Sequence, residues 1–530
     1  MHCGVCAWSA PSVGWRARTF AGGVGHFRGG GLVGGAAVGS ARWRVGAGDG
    51  SEARLPGPGD SVAWSPAKAQ LQSPAAALPG VDRAAEWDDE DHYGNEFMRN
   101  CEEGEMRATR SEVDLDAIGA NLASIRGRVG AERKVMAVLK GNAYGHGIVP
   151  VARFLERCGV DAIAVALLEE GILLRRRGIT CEVMALTPPA KSQMASYLRH
   201  NVVMAIPSVE KLKAAREVAR REGKVARVHL ELDTGMERWG THYFNARNLL
   251  STAFLDVSEE DARAVKVEGV FTHFASSDAQ DLAFARLQLQ RFEEALKFFE
   301  EGEEDVEERE EKEGGGDAGD HAGGNVESCV AASRRRRWPR RQDVLIHAAN
   351  SGAVLQLPES WYDMVRPGIL LYGVSPAAHC CGVMDIRPAL SLKSTVTYFK
   401  VVQAGVPISY GGTYAPAQQS RVVTVPVGYA DGYPRSLSNK GHVLIRGKRY
   451  PVVGSVCMDS LMVDLGPQGE AWNGDEVILI GEAGNGSDER ITIEEVSNKC
   501  GTIPYEALTS ISARVPRIYP RGAPREGRQP

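Results

Sequence analysis

From residue 134 onward the chain repeats one pattern. A short, unbroken apolar run is followed by a stretch in which apolar positions recur every three to four residues. The apolar runs are VMAVLK (135–140), AIAVA (162–166), EVMAL (182–186), VVMAI (202–206), ARVHLELD (226–233), VEGVFTHFA (267–275), VLIHAANS (344–351) and MVRPGILLYG (364–373). Between several of them lie helical patterns such as GIVPVARFLERCG, EEGILLRRRG and SVEKLKAAREVARREG. Short strands apolar on both faces, alternating with amphipathic helices, predict a parallel sheet. Eight such units in roughly 270 residues fit a closed (β/α)8, TIM-like barrel. A doubly wound open sheet is the alternative, but no G-x-G-x-x-G follows the first run to support it.

After about residue 385 the pattern changes. SLKSTVTYFKVVQAG, SRVVTVPVGY, GHVLIRGKRYPVVG, SLMVDLG and DEVILIG read as strands joined by Gly or Pro turns, with little helical text between them. The domain expectation is therefore a barrel over 106–384, a mostly β C-terminal domain over 385–520 and a tail over 521–530. Two regions stand apart. Residues 1–105 form a leader rich in Ala, Pro and Gly, with no expected core. Residues 300–342 form a low-complexity insert, in which EGEEDVEEREEKEGGGDAG gives way to SRRRRWPRRQ. A basic run can be a nuclear signal or a nucleic-acid patch. With an acidic neighbour that neutralises it, this one reads as a solvated loop.

Composition narrows the class. The chain has 530 residues, 43% hydrophobic and 24% charged, enough for a large core. A net charge of -5 gives no general attraction to nucleic acid or anionic membrane. No apolar run is long enough to span a membrane. The ten cysteines show no disulfide framework. Cys3 and Cys6 lack a second metal-like pair, and Cys380, Cys381, Cys457 and Cys500 read as reduced, mostly packed thiols. Residues 1–48 contain no Asp or Glu but carry Arg16, Arg18, Arg28, Arg42 and Arg44, which resembles a transit peptide and so a mitochondrial or plastid location. The segment is Gly-heavy and Ser-poor, and a cytoplasmic location is the alternative.

The chemistry centres on Lys140. A lysine at the end of a buried strand has a depressed pKa and becomes a nucleophile toward aldehydes, unless it simply snorkels to the rim. Its surroundings decide between these. VLKGNAYGHG closely resembles the cofactor-lysine motif of the alanine racemases, with Gly141 where Ala is usual. VHLELDTGMERWG, VFTHFASSD, HAANSGA, MVRPGILLYG, VPVGYADGYPR, VGSVCMD and PYEALTSISARVPRIY resemble further motifs of that family, in the same order. The resemblance covers about residues 106–520 outside the insert.

The resemblance implies a barrel that binds pyridoxal 5'-phosphate, a β domain behind it, and a head-to-tail homodimer that interconverts L- and D-alanine. It makes Lys140 the covalent carrier of the cofactor. It assigns phosphate contacts to Ser351, the amides of Gly368 and Ile369, and the hydroxyls of Tyr144 and Tyr505. Arg366 would face the pyridine nitrogen. Lys140 and Tyr429 would be bases on opposite faces, Tyr429 coming from the partner subunit and His273 linking it toward Arg366. Arg238 would grip the substrate carboxylate, with a main-chain contact from Met458. Taken singly, these residues also read as a turn serine, turn glycines, packed tyrosines, a core histidine and surface arginines.

Three positions depart from the family. Glu231 stands where many members carry a carbamylated lysine that orients the arginine. It is shorter by about three atoms, so direct contact with Arg238 is not expected, and an ordinary carboxylate with a pKa of about 4.3 is. Glu237 and Trp239 replace small and aliphatic residues beside Arg238. A serine or broad-specificity racemase of the same architecture is an alternative, against which Tyr505 counts. So is a related decarboxylase, which would not share this motif set. A non-catalytic pyridoxal-phosphate carrier would resemble the barrel alone, leaving Tyr429 and Met458 unexplained.

Overall fold

A computed structural model of the protein describes residues 107–300, 339–484 and 487–520. The leader with the expected targeting signal, Cys3 and Cys6, most of the insert and the tail lie outside the described residues. The chain enters through β1 (Arg110–Val113) and then supplies β2 (Lys134–Val138), β3 (Ala162–Val165), β4 (Glu182–Ala185), β5 (Val203–Ile206), β6 (Ala226–Asp233), β7 (Thr241–His242), β8 (Val265–Phe271), β9 (Leu345–His347) and β10 (Met364–Val365). The order β10-β2-β3-β4-β5-β6-β8-β9 is parallel throughout, with β7 paired to the end of β6. Main-chain bonds from Asp363 to Ile346 (3.1 Å) and from Arg366 to Ala349 (2.8 Å) bridge the seam between β9 and β10. The eight apolar runs are the eight barrel strands.

The period-two faces of these strands are both covered: every residue of β3 and β5 is buried. Helices close the outside. In Val209–Glu222 the Ser208 hydroxyl accepts the Lys211 N–H, Gly223 ends the helix in the left-handed region, and Leu212, Ala215, Val218 and Ala219 form the buried stripe. Such a cap stabilises a helix by about 1 kcal/mol, and each buried leucine by about 2 kcal/mol.

The second sheet runs Tyr398–Val402, Ser420–Val425, Leu461–Gly466, Lys448–Val453, His442–Ile445, Glu476–Glu482, Leu390–Thr395, β1 and Arg517–Ile518. It is antiparallel except for the pairing of β1 with Arg517–Ile518. The first strand therefore lies with the C-terminal β sheet, although it precedes the barrel in sequence. Its alternating burial fits a strand with one covered face. Two short helices, Ile493–Cys500 and Pro504–Thr509, complete this part. No helix among the described residues is long and apolar enough to cross a membrane. The cysteines among them are free, with Cys380 buried and its neighbour Cys381 exposed.

The two parts meet beside the end of β2. Arg517 Nε donates to the carbonyl of Gly145 (3.1 Å), and the Tyr519 hydroxyl donates to that of His146 (3.0 Å). Gly145 has φ +83°, and a Cβ there would stand 2.4 Å from the Leu508 carbonyl oxygen. Glycine is required twice over, by its dihedral and by the closeness of the other domain.

Candidate active site

Lys140 opens a left-handed turn. Gly141 (φ 64°), Asn142 (φ 56°), Ala143 (φ 53°) and Tyr144 (φ 51°) all take positive φ. That conformation costs non-glycine residues roughly 1–2 kcal/mol each, so something must hold it. Glu170, buried in the helix after β3, accepts the Gly141 N–H at 2.8 Å and, through its other oxygen, the Ala166 N–H at 2.9 Å. Asn142 Oδ1 accepts the Ile148 N–H (2.8 Å), and the Tyr144 ring lies 5.0 Å from that of Tyr372 and 5.9 Å from that of Tyr505. The turn points the lysine at the carboxyl end of the barrel. Burial, then Arg238 and Arg366, lower the Lys140 pKa, while Glu170 opposes the fall. An amine so placed reaches its neutral, nucleophilic form more readily.

Ser351, Gly368 and Tyr144 come together. The Gly368 N–H donates to Ser351 Oγ at 2.9 Å. A Cβ on Gly368 would lie 2.4 Å from the Tyr144 hydroxyl. Ile369 follows, buried, at the start of a 3-10 turn, and Tyr505 flanks Tyr144. Burial pushes both tyrosine pKa values up, so their hydroxyls keep their protons and can donate. Protonated hydroxyls and main-chain amides are the kind of donors that a phosphate dianion requires.

Arg366, 2% exposed, is fixed on every side. It donates to His347 Nδ1 (2.7 Å), to the Thr272 carbonyl (2.8 Å), to the Ala348 carbonyl (3.1 Å) and to His273 Nδ1 (3.2 Å), and it lies over the Phe271 ring at 5.4 Å. Burial lowers its pKa to about 10, which leaves it charged at neutral pH. Arginine only donates, so Nδ1 of both histidines accepts and their protons sit on Nε2. His347 then donates to His229 Nδ1 (2.8 Å), in a row that ends at the buried Nε2 of His229, which has no partner among the described residues. Burial holds all three imidazoles neutral: it lowers His229 to about 4, and His273 and His347 well below the usual value.

A pocket beside this network is lined by Glu231, Asp233, Met236, Arg238, Trp239, Thr272 and His273. Asp233 Oδ1 accepts the N–H groups of Gly235 (2.8 Å) and Met236 (2.9 Å), shaping the loop that presents Arg238. The Arg238 guanidinium is exposed and sits 4.9 Å over the Trp239 ring. As the short side chain implied, no ion pair or hydrogen bond among the described residues joins Glu231 to Arg238. The ordinary carboxylate pKa expected for Glu231 is corrected: burial raises it to about 7, against the opposing pull of Arg238 and Arg366.

Tyr429 and Met458 lie elsewhere. Both are on the surface of the β domain, 43% and 52% exposed. The N–H of Tyr429 donates to Cys457 O and that of Ala430 to Met458 O, both at 3.0 Å, so the two segments are held side by side. Within one chain no hydrogen bond among the described residues joins Tyr429 to His273, or Met458 to Arg238.

Glu170, His347 and His229 were not singled out from sequence. The signal for the histidines was present: in VHLELD, His229 shares a face with Glu231 and Asp233, a polar face inside an apolar strand. Glu170 lies in a helix first turn and reveals its role only when β2 and β3 are paired.

A family model described as "Alanine racemase, N-terminal domain" matches residues 113–309 and 321–376, and one described as "Alanine racemase, C-terminal domain" matches 389–519. The chain belongs to the alanine racemase family. It is 39% identical over 415 residues to alanine racemase 2 of Caldanaerobacter subterraneus, covering 78% of this chain and 95% of that protein. It is 40% identical to the alanine racemase of Symbiobacterium thermophilum, covering 78% and 97%. Among solved racemases, that of Bacillus anthracis with bound L-Ala-P superposes with a TM-score of 0.65 at 33% identity, covering 78% of this chain and 96% of that one. The racemase of Streptomyces lavendulae gives the same TM-score and identity, covering 79% and 98%. The family's two domains fall on the barrel and on the second sheet.

Proposed function

We propose that this chain is an alanine racemase that carries pyridoxal 5'-phosphate on Lys140 and interconverts L- and D-alanine with Lys140 and Tyr429 as bases on opposite faces. The observation that supports it best is the convergence of a lysine of lowered pKa, the Ser351–Gly368–Tyr144 donor cluster and the fixed Arg366 at one end of the barrel. The donors fit the group: Ser351, the amides of Gly368 and Ile369, Tyr144 and Tyr505 would hold its phosphate, and Arg366 its ring nitrogen. When bound, it withdraws electrons from the substrate and acidifies the α-carbon. Arg366 keeps its own protons and hydrogen-bonds a ring nitrogen without handing over a proton, which moderates that withdrawal. Lys140, uncharged more readily than a free lysine, would take the α-proton from one face in one direction of the reaction and supply one to that face in the reverse direction, while Tyr429 does the converse on the opposite face.

The second face belongs to Tyr429. His273 has its Nδ1 taken by Arg366 and its proton on Nε2, a donor suited to stabilise a phenolate. Tyr429 and Met458 stand outward in one chain, and we read them as completing the site of a neighbouring subunit in a homodimer. Arg238 would hold the substrate carboxylate. Incubation of purified protein with pyridoxal phosphate and L-alanine, followed by chiral chromatography, should yield D-alanine up to an even mixture. Visible absorbance of a lysine-bound cofactor without D-alanine would overturn this reading in favour of a carrier.

A further inference from the structure

Glu231 has no evident function in the mechanism above, yet it is the most conspicuous ionisable group of the pocket. It is 4% exposed, and its Oε2 is buried without a hydrogen-bond partner among the described residues. Two residues on, Asp233 has its carboxylate tied to main-chain N–H groups, so the two acids of this strand end are in different situations. Among the described residues, Glu231 lines the same pocket as the exposed Arg238 and makes no bond to it. We propose that Glu231 takes up a proton when a carboxylate engages Arg238, so that the affinity of the site for carboxylates falls as pH rises through neutrality. The proposal rests on the reading of Arg238 given above and adds a regulation to it.

The groups facing Glu231 are Arg238 and Asp233 from its own segment, Arg366 from the end of β10, and His273 from the end of β8; His229 and His347 lie deeper in the barrel. The three histidines are held neutral, so the local balance is two guanidiniums against two carboxylates. An incoming carboxylate adds a third negative charge in a setting of low dielectric. The least stabilised carboxylate then protonates, and that is the one with an unpartnered oxygen. Glu231 already titrates at about 7 in the free site, so little more is needed. The sign follows from linkage. The bound state holds more protons than the free state, so affinity is flat below the free-site pKa and declines above it, until the pKa of the bound state is reached.

The test uses holoenzyme and propionate, a carboxylate without an amine that titrates. Calorimetry near pH 7.5, in buffers of different ionisation enthalpy, should show proton uptake. The propionate Kd should rise up to about tenfold between about pH 6 and about pH 8. E231Q should bind propionate with a flat pH profile, near the affinity of the wild type at low pH, and without proton uptake. A flat wild-type profile, or the same slope in E231Q, overturns the proposal, and the wild-type heats decide it even if the variant folds poorly. Unchanged propionate affinity in Arg238→Met overturns it too, by removing Arg238 from the site. Absence of racemisation with the linkage intact would overturn only the function proposed above.

Discussion

Arg366 and Tyr429 occupy opposite extremes of one molecule. Arg366 is buried at the barrel end with four hydrogen-bond partners and an aromatic face beneath it. Tyr429 stands on the β domain, half in solvent, with no side-chain hydrogen bond among the described residues and its N–H held by the Cys457 carbonyl. Both are polar side chains in short motifs of similar type. On the reading proposed above, the difference is completeness: the barrel half of the site would be organised within one chain, and the β-domain half would be presented to a neighbour. Proton transfer at carbon gains from exclusion of water. An exposed tyrosine with its neighbouring segments locked in place therefore makes sense as a tooth for another subunit's barrel.

The sharpest way to break this contrast is complementation. Lys140→Ala and Tyr429→Ala should each lose about 10²- to 10⁴-fold in racemisation, the usual span for removing a positioned acid–base group. Lys140→Ala should also lose the visible absorbance of the bound cofactor. If each site joins Lys140 of one chain to Tyr429 of the other, a mixed dimer has one site with both defects and one with neither. After subunit exchange about a quarter of all sites should be intact, and activity should return to about that fraction. No recovery, with exchange verified by differently tagged chains, would place Tyr429 in the site of its own chain.

Stability should separate the two positions next. Arg366→Met removes a buried charge and strands His347 Nδ1 and the carbonyls of Thr272 and Ala348 without donors. Each stranded group costs about 1–3 kcal/mol, so a loss of at least about 3 kcal/mol is expected. Tyr429→Phe removes an exposed hydroxyl that has no hydrogen-bond partner among the described residues and should stay within about 0.5 kcal/mol. Urea denaturation measures both, and equal losses would erase the distinction between a finished and a presented half.

The same contrast explains what could be read from sequence. The eight barrel strands were legible because burial on both faces leaves unbroken apolar runs, a signal that needs no partner to interpret. β1 was not assigned to the second sheet, because RSEV carries only four residues of alternation and its partners lie some 280 and 400 positions away. Lys140 was visible through its motif, but the left-handed turn was not: Asn142, Ala143 and Tyr144 have no intrinsic reason to share positive φ, and the bracing comes from Glu170 across the barrel wall. Glu231 was visible as a departure, while its protonation was not. A sequence gives the residue, whereas its pKa depends on how much water and how many guanidiniums surround it.

The smallest expected effect probes how tightly the finished half is built. Gly368 has φ -113°, outside the left-handed region, and a side chain there would meet a crowded neighbour. Its Cβ would stand 2.4 Å from the Tyr144 hydroxyl, 3.1 Å from Tyr144 Cζ and 3.7 Å from Cε2. A free tyrosine would swing aside. Tyr144 sits instead on the left-handed turn, with the rings of Tyr372 and Tyr505 at 5.0 and 5.9 Å, which leave it room for only a small displacement. Gly368→Ala should therefore shift the hydroxyl away from the donor cluster rather than unfold the barrel. Losing one such hydrogen bond is worth about 1–2 kcal/mol, so pyridoxal phosphate should bind about tenfold more weakly, with kcat at saturating cofactor little changed. Tyr144→Phe should weaken binding by a similar factor, and combining the two should add little, since both remove the same donor. Undiminished cofactor affinity in Gly368→Ala would mean that the Tyr144 hydroxyl is no part of the phosphate cradle, and that the closeness of the two residues is packing alone.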